Sequence, residues 1–176
     1  MRGVRLKSFL CHNRQMSSLV TADPRRASAP TITILWVIWM LFCLRVVGQA
    51  VVARWAPQWL PPMEAWYSGL IAYPYLLVSQ VLIVFLLVRV CCDLTRNQGF
   101  FAKPRSVFHR PILVFGWTYL GAMILRYFIR MTMFPDQRWT GGCIPIFMHW
   151  GLASFLLLFA RNAGRALSAS RGPGTS

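Results

Sequence analysis

The chain has 176 residues, of which 56% are hydrophobic and 13% are charged, whereas about a quarter of the residues in a soluble domain are charged. This composition excludes an ordinary soluble domain and requires lipid around much of the apolar surface. The net charge is +15, but the basic residues flank long apolar runs. They therefore indicate membrane topology rather than a nucleic-acid partner.

Residues 1–30 are polar and basic, with Asp23 as their one acid. We expect them to form a disordered cytoplasmic tail. An Arg- and Ser-rich start that is poor in acids also resembles a mitochondrial transit peptide. Initiation at Met16, which would leave a shorter tail, is the favoured alternative.

Four apolar runs follow, and each is long enough for the ~20 residues of a membrane-spanning helix. The first run ends before a loop rich in Pro and Trp, and the second is free of charge until Arg89. A basic loop over 91–110 then precedes Pro111, which is predicted to lie in the first turn of the third helix. The predicted spans are about 31–53, 66–90, 111–134 and 143–160, within a transmembrane domain over 31–165, and 166–176 form a flexible cytoplasmic tail.

The distribution of Lys and Arg predicts the orientation of these helices, because positive charge is enriched in cytoplasmic loops. The two tails and the 91–110 loop hold most of the basic residues, whereas the two opposite loops contribute Arg54 and Arg138. Both termini are therefore predicted to be cytoplasmic. The predicted fold is all-α, an integral membrane bundle of four antiparallel helices, in a bacterial inner membrane or, as the alternative, a mitochondrial inner membrane.

Charged residues inside a span are rare and indicate function by default. With a rise of about 1.5 Å per residue, Arg45 lies roughly 20 Å from the cytoplasmic start of the first helix, and Arg126 lies roughly 22 Å along the third. Arg130 follows Arg126 by one turn, and His149 lies about 10 Å into the fourth helix from its outer end. We expect all four side chains to share one layer in the outer half of the bilayer.

No span contains a carboxylate that would neutralise these arginines. The leading interpretation is that they snorkel outward to lipid headgroups along their aliphatic stems. The alternatives are a salt bridge to Glu64 or Asp136 and a site for an anion or an anionic lipid, for which Arg45, Arg126, Arg130 and His149 are the candidate residues.

Other chemistry is weakly supported by the sequence. A haem would usually need a second histidine opposite His149, and His109 is predicted at the other face of the membrane. The five cysteines lack the ligand spacing of a zinc site, and no nucleophile and base set is visible. We therefore expect no cofactor, no metal and no enzymatic activity.

Several further residues are interpreted as structural. The small residues Gly116 and Gly121 are assigned to close helix packing. Gln80 is assigned to a hydrogen bond between helices, and Phe100 and Phe101 are expected to dock the basic loop onto the membrane surface.

The loop that joins the second and third helices carries Asn97, Gln98, Gly99, Phe100 and Phe101, followed by Arg105, Arg110 and the start ILVFGW. Here the chain resembles a family of small bacterial four-helix inner-membrane proteins of unknown function, which have a cytoplasmic Gly-x-Phe turn. The C-terminus, ARNAGRALSASRGPGTS, lacks the acid-containing tail typical of that family.

These features together predict a non-enzymatic, multi-pass membrane component. Its expected partners are the lipid bilayer and either anionic lipid, another membrane protein or a second copy of the chain, with no nucleic acid. The alternatives are a small-solute or ion permease subunit and a b-type haem electron-transfer protein.

Overall fold

A computed structural model of the chain describes residues 27–66, 72–103, 106–133 and 143–170, with the backbone alone at 64, 65, 143 and 170. Within these residues the protein is all-α and contains no strand. Four of its helices are long and apolar enough to cross a membrane. The helices are α1 (Ala29–Trp55), the short α2 (Met63–Trp66), α3 (Tyr73–Arg96), α4 (Ser106–Met133) and α5 (Cys143–Ser170).

The long helices begin and end at recognisable signals. Pro30 and Pro74 lie in the first turns of α1 and α3, where a missing N–H costs no hydrogen bond. Both helices end at a residue in the left-handed conformation, Ala56 after α1 and Asn97 after α3. A left-handed residue turns the chain away and closes the last helical turn.

Three of the four long helices are longer than their predicted spans, whereas α3 begins at Tyr73 rather than near 66 and ends at Arg96 rather than near 90. The loop after α3 is correspondingly shorter than predicted. Residues 91–96 continue α3, and α4 begins at Ser106, so Pro111 lies inside α4 rather than in its first turn. Of the residues that favoured a loop over 91–110, Gly99 and Lys103 do lie in the turn, whereas Arg96 and Arg110 lie on the ends of α3 and α4. Such ends reach beyond the apolar part of a membrane, where charged side chains are tolerated.

The helices pack in the order α3, α1, α5, α4. Among the described helices, α1 contacts α2, α3 and α5, whereas α4 contacts α5 alone. Accordingly, 6% of the most apolar 18-residue stretch of α4 is buried, against 28% of the corresponding stretch of α5. A core of eight buried side chains joins α1, α3 and α5: Leu35, Phe42, Val46, Leu87, Val90, Cys91, Leu94 and Phe155.

Close approach of α4 to α5 depends on Gly116, since a Cβ built there would lie 2.9 Å from Leu157 Cδ2. This confirms its predicted packing role. Gly121 is different, because no atom of the described residues, apart from its own stretch of helix backbone, lies within 4 Å of a Cβ built at that position. The packing role predicted for Gly121 is therefore wrong.

The turn after α3 is organised by Asp93, which is 4% exposed. Its Oδ2 accepts a hydrogen bond from the Phe101 backbone N–H at 3.1 Å, and its Oδ1 lies 3.4 Å from Arg89 Nε. Gly99, at φ +99°, lies so close to Asp93 that a Cβ built there would be 2.5 Å from the Asp93 carboxylate. The turn thus needs glycine for both its backbone conformation and its lack of a side chain.

This turn directs Phe101 inward, onto Phe159 of α5, with ring centroids 6.1 Å apart. Phe101 also packs against the buried core. Phe100 remains 50% exposed. The expectation that both rings dock the loop onto the membrane surface is therefore wrong for Phe101, which ties the loop to α5.

Candidate functional site

Arg45 lies on α1, about 24 Å from the first residue of that helix at 1.5 Å per residue, and only 8% of its surface is exposed. Its Nη1 donates to Gln49 Oε1 at 3.0 Å. Its Nη2 donates to the Trp66 backbone carbonyl at 3.0 Å. The predicted snorkelling is therefore wrong for Arg45, because its guanidinium is directed into the protein.

Each partner of Arg45 follows from the local fold. Gln49 lies four residues later on α1, which places the two side chains on the same face of the helix. Trp66 ends α2, where helix carbonyls have no intrahelical partner and are free to accept. The Trp66 ring packs over Gly48, whose hypothetical Cβ would lie 3.0 Å from Trp66 Cη2, so a side chain at that position would push α2 away.

A side chain of α3, Gln80, adds a second amide to the group formed by Arg45 and Gln49. Gln80 Nε2 donates to the same Gln49 Oε1 at 3.0 Å, so the predicted hydrogen bond between helices is confirmed. Gln49 is 0% exposed and Gln80 is 5% exposed. We name Arg45, Gln49 and Gln80 the polar cluster.

The polar cluster keeps unused hydrogen-bonding capacity. Arg45 Nε, Gln49 Nε2 and Gln80 Oε1 are buried and have no partner among the described residues. Buried polar atoms are nearly always paired, with protein or with an ordered solvent or ligand molecule. These three atoms therefore indicate that the cluster has room for a further polar group.

A cavity of about 170 Å³ lies beside the polar cluster, between α1, α2, α3 and α5. Arg45, Ser79, Gln80 and His149 form part of its wall, and the rest is mainly apolar. Within the described part of the chain, no carboxylate lines this cavity. The side chains of Glu64 and Asp136, which were predicted as alternative salt-bridge partners, lie outside the described residues.

His149 joins the cavity to α4 through a hydrogen bond between its Nδ1 and Tyr119 Oη at 2.5 Å. Along α5, His149 lies 11 residues from Ala160, whose carbonyl accepts a hydrogen bond from His109 Nδ1 at 2.9 Å. That interval is about 16 Å at 1.5 Å per residue. The two histidines therefore do not face each other as a pair of haem ligands would.

The four predicted residues are only partly brought together. Arg45 and His149 line one cavity. Arg126 is exposed on α4. Arg130 lies one turn beyond Arg126, is half-buried and does not line the cavity. The cavity thus brings together Arg45, which is buried, and His149, which is half-buried, and the single layer of four residues stays a prediction.

Sequence reasoning missed Gln49 and the Trp66 carbonyl. Gln49 carries a usable signal, since a glutamine four residues after a buried arginine is positioned to bond it. A backbone acceptor carries no signal of its own in the sequence.

The cavity wall combines a guanidinium, an amide, a hydroxyl and an imidazole in an apolar setting. A guanidinium favours a group with several acceptor atoms and negative charge, such as a phosphate or a carboxylate. Metal binding has less support, because no group of three or more His, Cys, Asp or Glu side chains lies together within the described ranges.

Comparison with protein-family models, with curated proteins and with solved structures gives no match to this chain. The resemblance to small four-helix inner-membrane proteins therefore stays a prediction.

Proposed function

We propose that this multi-pass membrane protein is a non-enzymatic component that binds an anionic group in the cavity beside Arg45. The observation that carries the proposal is a guanidinium that is 8% exposed and hydrogen-bonded to neutral groups. Burying a charge is costly unless it is paired or neutralised. A bound anion would supply the missing charge.

An unused donor and adjacent space support a bound anion. Arg45 Nε and Gln80 Oε1 have no described partner, and both residues line the 170 Å³ cavity. A phosphate or carboxylate would accept a hydrogen bond from Arg45 Nε, whereas Gln80 Oε1 is itself an acceptor and would need a donor such as a water molecule. The same chemistry fits the phosphate of a lipid headgroup and a free anion.

Thermal unfolding of the purified protein in detergent tests the proposal and separates the two sources. The midpoint is measured with phosphatidylglycerol, with phosphatidylcholine of the same acyl chains, and with inorganic phosphate. A headgroup ligand raises the midpoint with phosphatidylglycerol alone, whereas a free anion raises it with inorganic phosphate, because a ligand that binds the folded state stabilises it.

Arg45→Gln is expected to abolish the response to inorganic phosphate, or to remove the part of the phosphatidylglycerol response that arises in this cavity, and Arg45→Lys, which keeps the charge but loses the planar fork, to retain part of it. Arg126→Gln should weaken it less, because Arg126 is exposed. Arg54→Gln is the matched control, since Arg54 is an exposed cation that lies over the Trp55 ring. An unchanged response in Arg45→Gln, or no response in the native protein, would contradict the proposal.

A further inference from the structure

A second cavity lies at the other end of the helices, where the turn after α3 meets α4 and α5. Its volume is about 290 Å³. The wall is mostly aromatic and aliphatic, with two polar side chains, Lys103 and His109. We name it the loop cavity, and its principal apolar residues are Phe100, Phe101, Phe108, Ile112 and Phe159.

Two walls of the loop cavity are fixed by hydrogen bonds. Asp93 holds the Phe101 backbone N–H at 3.1 Å, which places Phe101 against Phe159. On the opposite side, His109 Nδ1 donates to the Ala160 carbonyl at 2.9 Å. The cavity is therefore part of the folded structure rather than a loosely packed gap.

The loop cavity is open to its surroundings. Phe100 and Phe108 are 50% and 49% exposed, so two of its lining rings are accessible from outside the protein. Filling of the cavity by apolar atoms would remove aromatic surface from water or headgroups, which is favourable.

The exposed charged side chains described around the loop cavity are all positive. Lys103 is exposed in its wall, and Arg110 and Arg161 are exposed next in sequence to the lining residues His109 and Ala160. The described acid near this end, Asp93, is 4% exposed and already binds Phe101 and Arg89. The site is thus apolar inside and cationic at its edge.

We propose that the loop cavity binds one acyl chain of an anionic phospholipid, whose phosphate lies at Lys103. Basic pockets between transmembrane helices recognise anionic headgroups in this way, and the apolar wall supplies the contact for the chain. This site goes beyond the proposed function, because it lies at the opposite end of α5 from His149 and shares no lining residue with the Arg45 cavity.

Native mass spectrometry of the full chain in detergent, titrated with phosphatidylglycerol or with phosphatidylcholine of identical acyl chains, tests the proposal. Lys103→Gln should weaken phosphatidylglycerol binding about fivefold, the effect of one basic residue near a membrane surface. Ala163→Phe, which fills the cavity, should weaken both lipids about tenfold, the contribution of roughly two buried methylenes.

The matched controls are Arg54→Gln, which removes one charge at the other end of the bundle, and Ala122→Phe, which adds a ring on an exposed position of α4. Both should bind lipid as the native chain does. Arg45→Gln should leave this site intact, so failure of one site is distinguishable from failure of the other. Circular dichroism and the thermal midpoint establish that each variant is folded.

The proposal is overturned if Lys103→Gln and Ala163→Phe retain phosphatidylglycerol like the native chain. Equal binding of the two lipids by the native protein would also overturn it, since the charge of Lys103 would then not favour the anionic headgroup. A lipid-independent dimer that Ala163→Phe dissociates would assign the cavity to a second copy of the chain instead.

Discussion

Asp93 and Arg45 are the two charged side chains that are buried within the described residues, and they differ in how completely their charged groups are paired. Asp93 accepts a backbone hydrogen bond and pairs with Arg89, so its carboxylate is neutralised where it is needed to hold a turn. Arg45 has neutral partners and keeps an unpartnered Nε beside a cavity. A buried charge with complete pairing indicates architecture, whereas one with spare donors and adjacent space indicates a ligand.

The largest effect that we expect on the Asp93 side of this comparison comes from Gly99→Ala. The side chain would meet the Asp93 carboxylate at 2.5 Å on a backbone with φ +99°, so the free energy of unfolding should fall by about 3 kcal/mol. Unfolding in mixed detergent and dodecyl sulfate measures this change.

Gly121→Ala is the control for that substitution, because a Cβ built at Gly121 has no atom of the described residues within 4 Å apart from its own stretch of helix backbone. In the interior of α4 it should instead raise the stability by about 0.5–1 kcal/mol. Equal effects of the two alanines would show that the turn does not depend on Gly99.

On the other side of the comparison, Arg45→Met should change the stability of the ligand-free protein by no more than about 1–2 kcal/mol. The loss of a buried charge is stabilising, but the Trp66 carbonyl is left without its donor, which costs about 1–3 kcal/mol. The same variant should lose the stabilisation by inorganic phosphate, or the part of the stabilisation by phosphatidylglycerol that depends on Arg45. A large loss of stability would indicate that Arg45 is structural, as Asp93 is.

The smallest effect is expected for Gln80→Leu, which removes the hydrogen bond from α3 to Gln49 Oε1. Hydrogen bonds between membrane helices contribute about 0.6 kcal/mol on average, so the stability should fall by roughly that amount. Ser79→Ala is a suitable control, because Ser79 Oγ bonds the Leu76 carbonyl within its own helix. A much larger loss for Gln80→Leu would mean that the polar cluster is a structural network.

The sequence predicted the four long helices and their order, because runs of about 20 apolar residues have few other uses. The helix ends near 91–96 and 106–110 were missed, since charged residues and a nearby glycine resemble a loop until the pairing of Asp93 is known. Gly116 and Gly121 look alike in the sequence and differ only through what packs on each.

The candidate site was likewise predicted only in part. Arg45 and His149 stood out by their charge or polarity within a span, and they do line one cavity. Arg126 and Arg130 stood out for the same reason, but the rotation of α4 about its axis leaves Arg126 exposed. That rotation depends on the contact with α5, which a one-dimensional pattern does not encode.

The position of α4 at the edge of the helix layer has a consequence for biogenesis. Among the described helices, α4 contacts α5 alone, and α5 is synthesised after α4. The growing chain must therefore hold α4 in the membrane before its packing surface exists, with Gly116 facing lipid instead of Leu157. Chains that stop before α5 would display this surface to the proteases that remove incompletely assembled membrane proteins.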